Sequence, residues 1–151
     1  GDKEKGPPQP PPILEGVIRP GEVFSFTMCN PPFFESIDEA EANPNTSCGG
    51  THAEMVCPGG ELSFLERMVG ESCVLRAAVH WYTAMVGKKA TLAALKRILP
   101  ATGARAVRTT ELSQGRTVRW AIAWSFAAPR GAAAAPLDKG AARVAAGGGG
   151  P

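Results

Sequence analysis

The 151-residue sequence contains no apolar run approaching the roughly 18 residues that a membrane-spanning helix requires. It also shows no apolar core of a secretory signal near its first residue. The expectation is a chain that neither spans a membrane nor is secreted. Its four cysteines (Cys29, Cys48, Cys57 and Cys73) include no C-x-x-C pair, which points to free thiols in a reducing compartment. Cys48, His52 and Cys57 come nearest to a zinc site. They lack a fourth ligand and a familiar spacing, so no metal is expected. His52 and His80 are the only histidines, and neither has a carboxylate at a telling spacing, so both read as structural. Large apolar side chains are scarce at both ends. Six of the 14 prolines fall between Pro7 and Pro20, and Ala127 to Pro151 is mostly alanine, glycine and proline. Such composition cannot offset the entropy of ordering. The expected organisation is a poorly ordered segment over 1–22, one folded unit over 23–126 and a low-complexity tail over 127–151.

Charge is divided within the folded unit. Val23 to Leu75 carries eight acids against Arg67 alone, net −7; Arg76 to Phe126 carries nine basic residues against Glu111 alone, net +8. The basic half suits a polyanion such as nucleic acid, and it equally suits a solvated helix face with charged strand ends.

Val23 to Cys29 is an apolar run of β-formers that stops at Asn30-Pro31-Pro32, which predicts a buried strand ending in a turn. Asn43 to Gly60 reads as loop. Glu61 opens a helix with Leu62, Leu65, Met68, Val69 and Cys73 on one face. His80 to Val86 is a second apolar strand. Thr91 is positioned to cap a helix bearing Leu92, Leu95, Ile98 and Leu99, with Pro100 ending it. Thr117 to Phe126 alternates strictly, with Val118, Trp120, Ile122, Trp124 and Phe126 on one side. Ala106 to Leu112 is its hairpin partner across Ser113-Gln114-Gly115-Arg116. Trp81, Trp120 and Trp124 read as core residues. Strand, helix, strand, helix, hairpin describes an α/β fold with a mostly parallel sheet and an antiparallel hairpin at one edge.

Asn30-Pro31-Pro32-Phe33 falls at the carboxyl end of the first strand, where open α/β sheets bind ligands. One reading is a rigid turn that closes a strand. The other is chemical. The exocyclic amine of adenine is a poor nucleophile because its lone pair is delocalised into the ring. The Asn30 side-chain oxygen and the Pro31 carbonyl form an acceptor pair able to hold both amine hydrogens. Proline suits the second position because its φ is fixed and it has no competing N–H. Two such bonds favour a pyramidal nitrogen directed at an electrophilic methyl group. Phe33 or Phe34 would stack on a base that has left its helix.

The sequence resembles the methyltransferase-like protein 16 family of RNA adenine N6-methyltransferases, whose bacterial relatives modify large-subunit ribosomal RNA. The residues that carry the resemblance are Met28-Cys29-Asn30-Pro31-Pro32-Phe33-Phe34; Gly59-Gly60-Glu61-Leu62; Trp81-Tyr82 with Gly87-Lys88-Lys89; and Gln114-Gly115-Arg116-Thr117 with Arg119-Trp120-Ala121 and Ala123-Trp124-Ser125-Phe126. The tetrapeptide alone is shared with DNA adenine and protein glutamine methyltransferases, but the final block is not. The resemblance implies the C-terminal half of a Rossmann-like class I methyltransferase domain that uses S-adenosyl-L-methionine on structured RNA: a small nuclear RNA such as U6, a messenger RNA hairpin or ribosomal RNA. It implies that Asn30, Pro31, Pro32 and Phe33 form the catalytic turn, with Asn30 also near the methionine part of the cofactor. Phe34, Arg116 and Arg119 would face RNA. Lys88 and Lys89 join them on charge and position at a strand end. Neither membrane nor metal enters, and the location implied is the nucleus and/or cytoplasm.

Two departures stand out. The family's cofactor-binding half, with a Gly-rich strand-to-helix turn and a ribose-binding acid, has no counterpart between Gly1 and Glu22. Gly147 to Gly150 follow no strand and open no helix. A phosphate loop near Gly87-Lys88 is excluded because Tyr82 stands where the first glycine belongs. The second departure is the loop after the turn, where Glu35, Asp38, Glu39 and Glu41 would repel phosphate. The expectation is a piece of a longer enzyme or a truncated gene product, inactive by itself. The alternatives are a non-catalytic RNA-binding remnant and a protein glutamine methyltransferase, against which the Trp120 to Phe126 block argues. The 151-residue chain alone is therefore expected to bind S-adenosyl-L-methionine weakly or not at all in isothermal titration; micromolar binding would overturn that expectation.

Overall fold

The computed structural model describes residues 10–32 and 56–127. Phe33, Phe34, the acids from Glu35 to Glu41, Cys48, His52 and the tail beyond residue 127 lie outside the described residues. The elements are β1 (Phe24–Phe26), α1 (Gly60–Leu75), a 3-10 turn (Arg76–Ala78), β2 (Val79–Val86), α2 (Lys89–Ala101), β3 (Ala106–Gln114) and β4 (Thr117–Ser125). The sheet order is β1-β2-β4-β3. β1 runs parallel to β2, while β4 is antiparallel to both β2 and β3. Three strands therefore share one direction, and the last strand of the chain inserts between the second and third. This is the expected α/β sheet with its edge hairpin, β4 lying one place in from the edge.

Alternation decides which face of the hairpin is buried. Ile122 and Trp124 are wholly buried, opposite Ala84 and Tyr82 of β2. Onto this face α1 brings Leu65, Met68 and Val69, and α2 brings Leu95 and Leu99. The one tyrosine and two of the three tryptophans sit in or against this core. Tyr82 stacks on Trp124 at 5.7 Å and meets Phe126 edge-on at 6.0 Å. Their polar atoms are satisfied: Trp124 Nε1 donates to Ser72 Oγ at 2.9 Å, and the Tyr82 hydroxyl donates to the Arg76 carbonyl at 2.8 Å. Burial pushes the Tyr82 pKa up to about 12, so the hydroxyl remains a donor at neutral pH. Trp81 departs from the expected core placement. It points to the other face of the sheet, half-buried beneath the Arg108 guanidinium at 5.7 Å.

Several boundaries differ from the sequence reading, each for a physical reason. β1 is not buried: Phe24 and Phe26 are exposed because the strand lies at the sheet edge and no described element covers that face. Thr91 is not the cap of α2. It is buried within the helix, whose N-cap is Lys88. Pro100 lies inside the last helical turn and does not end it. Only its own missing N–H is lost there, and Thr102 closes the end by donating to the Leu99 carbonyl. The hairpin turn contracts to Gly115-Arg116. Gly115 at φ +59° supplies the left-handed first position that a two-residue turn of this kind needs. Residues 10–22, assigned by composition to a poorly ordered segment, run along α1. Ile18 is buried, and the Glu71 carboxylate accepts the backbone N–H groups of Ile13, Leu14 and Glu15. Proline content concealed this contact because its partner lies over 50 residues away.

The Tyr82–Arg76 bond ties the buried ring to a corner in the left-handed region, Arg76 at φ +39°. Tyr82→Phe is expected to lower stability by about 1 kcal/mol, read as a shifted urea midpoint at unchanged slope. An unshifted midpoint would show that the corner does not need the bond.

Candidate active site

The regular part of β1 ends at Phe26, but its backbone pairing continues. Thr27 N–H donates to the Trp81 carbonyl at 2.9 Å, Cys29 N–H to the Thr83 carbonyl at 3.1 Å, and Met85 N–H to the Cys29 carbonyl at 2.8 Å. The Thr83 hydroxyl also donates to the Thr27 carbonyl. The residue before Asn30 is thus fixed to the middle of the sheet. Asn30 itself is exposed, while Pro31 and Pro32 are buried. Two prolines packed behind an exposed amide make a corner that presents one polar side chain and cannot easily change shape.

In front of that corner lies a cavity of about 360 Å³ lined by Asn30, Met85, Thr117, Arg119 and the stretch Leu112 to Gln114. Its size is within the range of small-ligand sites. Behind it, Pro32 joins Pro10 to Pro12, Ile13, Cys57, Pro58 and Phe64 around an apolar cavity of about 460 Å³. The N-terminal segment and the turn thus share one apolar cavity. The structure brings Asn30 and Arg119 together across the first cavity. Arg116 stands in the exposed turn between Gln114 and Thr117, at the tip of the same hairpin. Lys88 and Lys89 do not line this cavity; they are exposed at the head of α2, just past the carboxyl end of β2. Phe33 and Phe34 lie outside the described residues.

Sequence reasoning missed Gln114 and Thr117 as cavity walls and Glu61 as a buried anchor. Gly59 and Gly60 both have positive φ, +80° and +68°, and a Cβ on Gly59 would lie 2.7 Å from that of Ser63. This tight entry turns Glu61 inward, where it is 2% exposed. Its carboxylate accepts the N–H groups of Gly87 and of Lys88, the latter at 3.2 Å. The signal was an acid in the first turn of one helix, but its partner was the segment that leads into another, Gly87 and the N-cap Lys88.

These features fit the reacting end of a methyl-donor site, with the exposed Asn30 amide beside a small open cavity. They include no Gly-rich strand-to-helix turn among the described residues. A family model described as RNA methyltransferase matches residues 4–128. The chain belongs to this RNA methyltransferase family. Relatives include the ribosomal RNA large subunit methyltransferase F of Aeromonas salmonicida, 39% identical over 76% of this chain and 40% of its own length. The Xenopus laevis RNA N(6)-adenosine-methyltransferase is 41% identical over 79% of this chain and 24% of its own. Among solved structures, the hMettl16 catalytic domain in complex with a MAT2A 3'UTR hairpin superposes with a TM-score of 0.63 at 41% identity, covering 71% of this chain and 40% of that one. The N-terminal domain of human METTL16 in complex with SAH gives 0.57 at 37% identity, over 76% and 38%. The chain spans less than half the length of each of these relatives.

Cys29 is the thiol nearest the turn, and burial pushes its pKa up to about 11 from an ordinary 9. Its reactive thiolate is thus rarer than a free cysteine's, by about 100-fold at any pH below 9. Iodoacetamide at pH 8 is expected to alkylate Cys29 about 100-fold more slowly than glutathione. Labelling at the free-thiol rate would mean that the β1–β2 ladder opens around it.

Proposed function

We propose that this chain is the C-terminal part of the catalytic domain of an S-adenosyl-L-methionine-dependent methyltransferase that modifies the N6 amine of adenine in structured RNA. The observation that carries the reading is the Asn30 corner: an exposed amide, set on two buried prolines and held by the β1–β2 ladder, facing a cavity walled by Arg119 and Gln114. S-adenosyl-L-methionine, when bound, supplies the electrophilic methyl group, and Asn30 would also lie against its methionine part. The chain's own residues prepare the acceptor. On the motif, the Asn30 side-chain oxygen, exposed at the cavity, and the carbonyl of Pro31, a residue buried behind it, would accept the two amine hydrogens and aim the nitrogen lone pair away from them. As positive charge develops on that nitrogen, the two fixed oxygens stabilise it with no reorganisation. Neither is a base, so the surplus proton passes to water at the open mouth of the cavity.

Phe33, next in the turn, would stack on the extruded base, with Phe34 beside it. Arg119 on the cavity wall and Arg116 at the hairpin tip would meet RNA phosphates, with Lys88 and Lys89 adding charge one strand away. The substrate class is a folded RNA presenting an unpaired adenine: a small nuclear RNA such as U6, a messenger RNA hairpin or ribosomal RNA. The site of action is the nucleus and/or cytoplasm, where free thiols stay reduced.

The test is transfer of labelled methyl to an adenine-bulged RNA hairpin by the protein extended through its cofactor-binding half. Asn30→Ala is expected to lower the rate at least about 100-fold while hairpin affinity changes less than about threefold. An undiminished rate in that variant would overturn the assignment.

A further inference from the structure

α2 (Lys89–Ala101) has two unlike faces. Thr91, Ala94, Leu95 and Leu99 are buried against the core. The opposite face exposes Lys89, Lys96 and Arg97 around Leu92 and Ala93, which together line a shallow groove of about 420 Å³. At 100° per residue, Lys89 and Lys96 point within about 20° of one another, roughly 10 Å apart along the axis, with Arg97 beside them. The helix contains no carboxylate. None of the three cations has a hydrogen bond or ion pair to another described residue.

Stability does not explain this placement. Lys88 and Lys89 sit at the positive end of the helix dipole, where cations are unfavourable, and no intrahelical acid offsets Lys96 or Arg97. What makes the lysine pair tolerable is Glu61, whose buried carboxylate takes the Gly87 and Lys88 N–H groups and sets a negative charge at that end. The cationic row is thus held in place from inside. It begins at the carboxyl end of β2, beside the Asn30 turn, and runs back along the sheet.

We propose that this outer face of α2 docks the phosphate backbone of a base-paired RNA stem, with Lys96 and Arg97 as contacts in addition to Lys89; this rests on the RNA reading above. Charge complementarity identifies the ligand as a polyanion. Base-paired form follows from what the face lacks. Single-strand binders stack bases on aromatic side chains, and α2 has no aromatic residue. A fixed row of charges on a rigid helix suits the fixed phosphate row of a duplex, read by backbone and shape. A stem would lie along α2 while its unpaired adenine reaches the corner at Asn30.

The experiment measures affinity of the 151-residue chain for an RNA stem-loop and for oligouridine over a salt series. It compares wild type with K96Q/R97Q, and with R19Q as a single-charge control on another segment. Thermal melts confirm that the variants fold. For the stem-loop, the slope of log K against log salt is expected to flatten by about 1.8 in K96Q/R97Q, with affinity reduced at least about tenfold at 100 mM salt. R19Q and the oligouridine slope should stay unchanged. Stem-loop binding with an unaltered slope in K96Q/R97Q would overturn the proposal and leave the RNA reading standing. Equal losses on stem-loop and oligouridine would overturn the base-paired form. If K96Q/R97Q instead loses binding to phosphatidylserine vesicles and keeps RNA, the face is a membrane contact and the proposal falls. No stem-loop binding by wild type, even at low salt, would overturn both.

Discussion

One buried carboxylate sets the geometry of the working edge. Glu61 belongs to the first turn of α1, yet the groups it satisfies, Gly87 and Lys88, lead into α2. A carboxylate taken out of water is costly unless charge-assisted hydrogen bonds replace its hydration. Here two backbone N–H groups at a helix start provide that replacement, in a place where the helix dipole also favours negative charge. The same contact fixes the distance between the two helices at the end of the sheet where β1 delivers Asn30. The β1–β2 ladder then needs only to hold register. It does so through backbone bonds that continue past the regular strand to Cys29. Precision at Asn30 therefore comes from the sheet, and precision at Lys88 and Lys89 comes from Glu61.

Much of this was legible in the sequence, because it depends on local period or on fixed backbone chemistry. The alternation from Thr117 to Phe126 gave the correct buried face, since a strand one place from the edge has a single core side. The spacing of Leu65, Met68 and Val69 gave the buried stripe of α1 for the same reason. The Asn-Pro-Pro turn could be placed because proline restricts its neighbours whatever the tertiary context.

What escaped depends on partners distant in sequence. Thr91 is a good cap by type, but the N-cap position falls to Lys88, whose own N–H a carboxylate distant in sequence holds. Pro10 to Pro12 resembled linker because nothing local showed that Glu71 would collect three successive N–H groups beside them. β1 was read as buried from its apolar content, and apolar content cannot report whether a strand has one neighbour or two. The roles of Phe33 and Phe34 rest on the motif alone, because both lie outside the described residues.

The charge division carries a subtler lesson. Counted from sequence, the first half of the folded unit repels phosphate and the second half attracts it. In the fold, two of the three described acids between Val23 and Leu75, Glu61 and Glu71, are engaged with backbone N–H groups. Glu61 is buried and Glu71 half-buried, so Glu66 is the one described acid of that stretch that stands in solvent. The cations divide differently. Arg76 and Arg108 rest on Phe126 and Trp81, whereas Lys89, Lys96, Arg97 and Arg116 stand in solvent. Among the described residues, then, cations standing in solvent gather on α2 and at the hairpin tip. A chain with a net charge of only +2 can thus present a locally cationic edge.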